Sequence, residues 1–171
     1  RRWPLRKFPL LLDGERQVAE SSIVIEYLQL AHPGPLRLLP ADPMAALDVR
    51  FMDRFFDLHI MDAMQVAVES KLGRLPMQSE DGLTLAKERL DRAYAWLEGH
   101  LVGKTWAAGE HYTMADCAAS PSLFYADWVQ QISDSYPVLR AYRTRLLARP
   151  SFARAVEEAR YFRPYFPLGA P

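Results

Sequence analysis

The sequence predicts a mainly α protein, an all-helical bundle preceded by a short β-hairpin and one helix. Three observations predict it. Apolar residues recur at steps of three and four from residue 44 onward. Near the amino end, the turn signal Asp13-Gly14 divides two short strand-like runs. Between these regions lies HPGPLRLLPADP, whose four prolines and one glycine between Pro33 and Pro43 mark a linker. The expected division is therefore residues 1–32, a linker at 33–43, and a helical domain at 44–171.

In the first part, Phe8 to Leu12 is a short apolar run and Arg16 to Ala19 its returning partner. Ser21 and Ser22 offer an N-cap to a helix whose buried face would be Ile23, Ile25, Tyr27, Leu28 and Leu30. A lone two-stranded hairpin is marginal in water, so it must lean on the helices after it. In the helical part, Met44, Leu47, Phe51, Phe55 and Leu58 form one apolar stripe, with Met52, Phe56 and His59 beside it. Leu83, Ala86, Leu90, Ala93, Tyr94, Leu97 and Leu101 repeat the spacing in a second long helix, with Gly73 to Gly82 as the loop between. Thr113-Met114-Ala115-Asp116 has the form of a capping box and starts a third helix, bent near Pro121. Pro137 starts a fourth, and Pro150 a fifth that runs to about Arg160. The tail RPYFPLGAP is too rich in proline to continue it.

Composition narrows the function. Lys plus Arg and Asp plus Glu are both 21, so no net field draws nucleic acid or an anionic membrane. No apolar run reaches the roughly 20 residues that span a bilayer. The single cysteine, Cys117, excludes an internal disulfide framework and suits a reducing cytoplasm. His32, His59, His100 and His111 show no metal-ligand spacing, so no metal is expected. Gly103-Lys104-Thr105 fails as a phosphate loop, because Glu98 stands where the first glycine belongs and a helix precedes it. The arginines from Arg140 to Arg149 read as a solvated helix face.

A small ligand remains, and the opening stretch could hold one. A proline heading a strand donates nothing to the ladder, and a cis bond before it would turn the Phe8 main chain outward toward an extended, peptide-like ligand. At Glu20-Ser21-Ser22 a helix begins, where free N–H groups and the dipole favour a carboxylate. Glu20 beside it could pair with an ammonium on the same ligand. An ordinary strand proline and an ordinary N-cap would look the same.

The runs FPLLLDG and AESSIVIEYL resemble the third strand, fourth strand and third helix of the thioredoxin-like domain of glutathione S-transferases. WAAGEHYTMADCAA and RPSFARA are similar to the sixth helix and carboxyl end of that family's helical domain. WPLRKFP resembles the approach to the cis-proline of bacterial members. The resemblance implies a helical bundle preceded by a hairpin and helix from a partial thioredoxin-like, glutathione-binding domain. It implies glutathione as co-substrate, with Phe8 and cis Pro9 at its cysteinyl part and Glu20 and Ser21 at its γ-glutamyl group. It makes Thr113 and Asp116 a structural N-cap pair, worth about 1 kcal/mol as a cap alone. It places a hydrophobic electrophile between the domains, for which Phe55, Phe56, His59, Tyr125 and Phe162 are candidates, although core or dimer packing could claim any of them.

In this family the group that steadies the glutathione thiolate lies near the first strand, upstream of the region matching Arg1. Without it, these residues are expected to be weak or inactive catalysts, while the longer parent would conjugate glutathione to small electrophiles and form a homodimer. Two alternatives stay open: a non-catalytic protein-interaction member of the family, and a glutathione-dependent isomerase or dehalogenase.

Overall fold

Strands β1 (Leu10–Asp13) and β2 (Arg16–Ala19) pair antiparallel, with Leu10 opposite Ala19 and Asp13 opposite Arg16. The turn is therefore Gly14-Glu15, one residue later than expected, and Gly14 takes φ +57°, the sign a tight hairpin turn demands at its first central position. Asp13 ends the strand, accepts a hydrogen bond from Tyr27 Oη and pairs with His32 Nε2, both at 2.7 Å. This computed structural model describes residues 3–171.

Among the described residues, seven helices come after the hairpin: α1 (Ser21–Ala31), α2 (Pro43–Phe55), α3 (Asp62–Lys71), α4 (Ser79–His100), α5 (Met114–Val129), α6 (Pro137–Ala148) and α7 (Pro150–Glu158). Asp42 caps α2 by accepting from the Ala45 N–H at 2.8 Å, with Pro43 in the first helical position. A π-helical turn, Phe56–Met61, joins α2 to α3 without a break. The core lies among α2 to α6, built from residues such as Val49, Met52, Phe56, Leu90, Tyr94, Leu123 and Tyr142. Among the described residues, no helix is long and apolar enough to cross a membrane.

The sequence-derived faces need correction in both halves. On α2 the buried residues are Ala46, Val49, Met52, Asp53 and Phe55; of the predicted stripe Phe55 is thus buried, whereas Met44, Leu47 and Phe51, and Leu58 on the π turn, are 67%, 55%, 53% and 48% exposed. Two apolar stripes share that helix, and periodicity alone does not say which one packs. The π turn adds a residue to one turn, so the face carrying Met52 and Phe56 continues at buried Ile60 and leaves His59 outside. On α1 no residue is fully buried, and Ile23 and Leu30 are exposed. Leu28 is exposed too, while Ile25 packs against the core as expected, and polar residues at positions 22, 26 and 29 add the remaining contacts.

Two boundaries also move. Helix α4 starts at Ser79, so Gly82 belongs to its first turn and not to the preceding loop. A Cβ on Gly82 would lie 2.0 Å from Ser70 Oγ, which explains the glycine by the close approach of α3. The tail forms a 3-10 turn, Arg160–Tyr165, with Pro164 inside it. Nor are the arginines from Arg140 to Arg149 merely solvated: Arg143 pairs with Asp127 at 2.9 Å, Arg145 donates to the Thr105 carbonyl, and Arg149 stacks 3.8 Å over Tyr112.

Candidate functional site

Between β2 and α1 the chain turns through Glu20, whose φ of 68° and ψ of 123° lie in a region that favours glycine. Holding a side chain there costs about 1–3 kcal/mol, which the surrounding structure must offset. Glu20 occupies the N-cap position but makes no side-chain bond to the helix, and its carboxylate is exposed. The expected serine cap is thus replaced. Ser21 is the first helical residue, exposed, with a main-chain N–H that no helical carbonyl can accept.

Ser22 turns the other way and donates to Asp53 Oδ1 at 2.9 Å. This bond ties the start of α1 to α2. Burial raises the Asp53 carboxyl above its ordinary range, against the opposing pull of the Ser22 bond. Half-buried Asp57, on the π turn, is also raised by desolvation, opposed by Arg54 and reinforced by Asp62 and Glu20. Glu20, Asp53 and Asp57 therefore surround the helix start with negative charge, a field suited to an ammonium beside the N–H groups that suit a carboxylate. Neither Asp53 nor Asp57 was legible locally, because each lies far along the chain from the turn it serves, Asp53 by 31 residues from Ser22.

Further polar clamps hold α1 in place. Glu26 accepts two bonds from Arg50, each 2.8 Å, and this pairing lowers its carboxyl below the usual range. Gln29 accepts from the Leu38 and Leu39 N–H groups and donates to the Leu39 carbonyl. Positions 22, 26 and 29 share one helix face, which is why α1 docks through polar contacts beside Ile25. Leu38 in turn accepts from the Met114 N–H at 2.8 Å, connecting the linker to the start of α5.

The Phe8-Pro9 bond is cis. The Phe8 side chain is exposed and borders a groove of about 740 Å³ between α3, α5 and the tail. Met64 and Val68 form one wall, Phe124, Tyr125 and Trp128 another, and Phe162 and Phe166 the third. Of the five aromatic candidates for a second-substrate pocket, Tyr125 and Phe162 line this groove. Phe56 does not: it is fully buried in the core. Phe55 and His59 face a separate hollow of about 350 Å³ with Arg89, Arg92 and Trp96, where Phe55 stacks on Trp96 at 4.3 Å. Helical spacing groups Phe55, Phe56 and His59 in sequence, but the structure sends Phe56 to the core and the other two to the hollow.

Asp116 is wholly buried at the third position of α5 and forms a capping box with Thr113. It accepts from the Thr113 N–H at 2.8 Å, the Ala107 N–H at 2.9 Å and Tyr142 Oη at 2.7 Å. Burial pushes its carboxyl up, while these donors pull it down. Tyr142 and the loop before α5 were invisible to the four-residue signature, since they reach the carboxylate from elsewhere in the chain.

The profile "Glutathione S-transferase, C-terminal domain" matches residues 55–150, more than half of the chain. The chain belongs to the glutathione S-transferase family. It is 32% identical over 156 residues to the uncharacterized GST-like protein YibF of Escherichia coli K12, covering 88% of this chain and 75% of that protein. A probable maleylacetoacetate isomerase of Vibrio cholerae is 26% identical, with 91% and 73% covered. Among solved structures, a glutathione S-transferase of Methylobacterium radiotolerans in complex with glutathione sulfonate superposes with a TM-score of 0.72 at 31% identity. That match covers 91% of this chain and 74% of the other. The fold of a glutathione S-transferase homologue, a helical bundle preceded by a thioredoxin-like hairpin and helix, accounts for this architecture.

Proposed function

We propose that these residues form the glutathione-holding part of a transferase active site together with its electrophile groove. One observation carries the reading: Phe8, next to the cis-proline at one end of the hairpin, also borders the 740 Å³ apolar groove. A tripeptide held at the start of α1 and running past Phe8 would thus bring its cysteinyl thiol to the groove's mouth. The γ-glutamyl carboxylate would take the Ser21 N–H and hydroxyl, and its ammonium the Glu20 carboxylate, with Asp53 and Asp57 reinforcing the negative field. Tyr125 and Phe162 remain second-substrate residues in this reading, and Phe55, Phe56 and His59 are withdrawn from it. The 1–32 segment would act as part of a glutathione domain and 44–171 as the helical domain, in a cytoplasmic protein. None of the present side chains is given the thiol-activating role, for which a donor or positive field must be aimed at the sulfur.

Glutathione at millimolar concentration is expected to shift the Ser21 and Ser22 amide resonances. No shift at saturating ligand removes the binding reading. A polypeptide of these 171 residues is expected to conjugate chlorodinitrobenzene no faster than glutathione does in buffer. A rate comparable with an intact transferase would show that a present side chain activates the thiol. Glutathione-dependent isomerisation is the second reading, supported by the similarity to the Vibrio cholerae protein. It would use the same glutathione site without net consumption of glutathione.

We also propose a homodimer, supported by the exposed apolar stripe of Met44, Leu47 and Phe51 on α2. Phe51→Glu is expected to convert dimer to monomer in sedimentation at micromolar concentration. An unaltered mass would move the interface elsewhere.

A further inference from the structure

The groove holds one feature that an indifferent apolar pocket would not need. Arg163 is the one charged residue among the described residues that line it. Its guanidinium carbon lies 5.9 Å from the centre of the Phe124 ring and 5.8 Å from that of Trp128, so aromatic faces hold it in position. Its Nε is buried without a hydrogen-bond partner. No described carboxylate lies within ion-pairing distance; Glu157 feels the charge of Arg163, but its hydrogen bonds go to Arg160, whose Nε sits 3.1 Å from it. A buried N–H left unpaired is costly, and because the side chain as a whole is only half-buried, a planar carboxylate entering beside it can pair with the guanidinium through parallel N–H bonds.

Resting on the electrophile-groove reading above, we infer that Arg163 makes the groove selective for substrates that carry a carboxylate on a flat apolar body. The aromatic walls receive the body, and Arg163 receives the anion. The residue acts on choice of substrate and takes no part in activating the thiol. Glutathione carries a carboxylate of its own at the glycyl end, so the test must separate the two sources of that group.

Para-nitrobenzoate and nitrobenzene differ only by the carboxylate, and the indole N–H resonance of Trp128 reports occupancy of the groove. Para-nitrobenzoate is expected to bind at least about tenfold more tightly than nitrobenzene. Arg163→Met should erase that preference while leaving nitrobenzene affinity and the glutathione-induced shifts at Ser22 unchanged, and Arg163→Lys should retain part of it. Equal affinity of the two probes in the parent chain, or a preference that survives Arg163→Met, overturns the inference and leaves the groove intact as a binding site. If neither probe moves Trp128, the groove reading fails along with it. If Arg163→Met weakens glutathione and spares the nitrobenzoate preference, the guanidinium belongs to glutathione and the inference is wrong.

Discussion

Asp116→Ala is expected to destabilise the protein by about 3–5 kcal/mol, several times the roughly 1 kcal/mol of an ordinary lost cap. The reason is the number of donors that share this one carboxylate. Truncation leaves the Ala107 N–H, the Thr113 N–H and Tyr142 Oη without their acceptor, in a site with no solvent exposure at the Asp116 side chain. Each stranded buried donor costs about 1–3 kcal/mol, reduced where a water enters the space. Tyr142→Phe is expected to cost about 1–2 kcal/mol, since Asp116 keeps its two main-chain donors and the ring keeps its packing. Asp116→Asn should fall between the two, because one amide oxygen replaces two carboxylate oxygens that each serve separate donors. Urea denaturation read by tryptophan fluorescence gives all three values. A loss under about 1 kcal/mol for Asp116→Ala would mean that the network relaxes and that the residue is a cap only.

That contrast shows where sequence reading stops. Thr113 and Asp116 are three residues apart and announce themselves as a box, so the start of α5 was legible. The donors that make Asp116 expensive to remove come from residues 107 and 142, and no local pattern couples them to it. Helix α4 was legible because the stripe from Leu83 to Leu101 is buried or packed against the core throughout, although Trp96 on another face is exposed. Helix α2 carries two stripes, and the choice between them is made by partners in α5 and by a π turn that has no distinctive composition. The hairpin was legible to within one residue, since Gly14 supplies the positive φ whichever of its neighbours completes the turn. At the candidate site the local part, Phe8, Pro9, Glu20 and Ser21, could be named from the sequence. Asp53 and Arg163 could not, because one reaches Ser22 across 31 residues and the other matters through the absence of a partner.

The sharpest test of the proposed site is Ser21→Pro. Ser21 occupies the first helical position, where the N–H is not used by the helix and where proline's fixed φ fits. Glu20 before it has ψ 123°, within the range that a following proline tolerates, but its φ of 68° lies outside the negative range that such a residue prefers, so the substitution adds strain at Glu20. The helix itself should survive, with a lowered melting temperature from the strain at Glu20 and the Ser22–Asp53 bond retained. What disappears is the main-chain donor and the hydroxyl together. If both hold the γ-glutamyl carboxylate, glutathione affinity should fall about 100-fold or more, because bonds to a charged group are worth about 1.5–3 kcal/mol each. Ser21→Ala removes only the hydroxyl, and its loss should be about tenfold. The Ser22 and Ile23 amides report binding in both variants. The ranking matters more than either value: a carboxylate drawn only by the general field of the helix start would ignore the substitution, since α1 and its dipole remain. Binding by Ser21→Pro within about threefold of the parent would place the carboxylate elsewhere, because at least one bond to a charged group should have been lost.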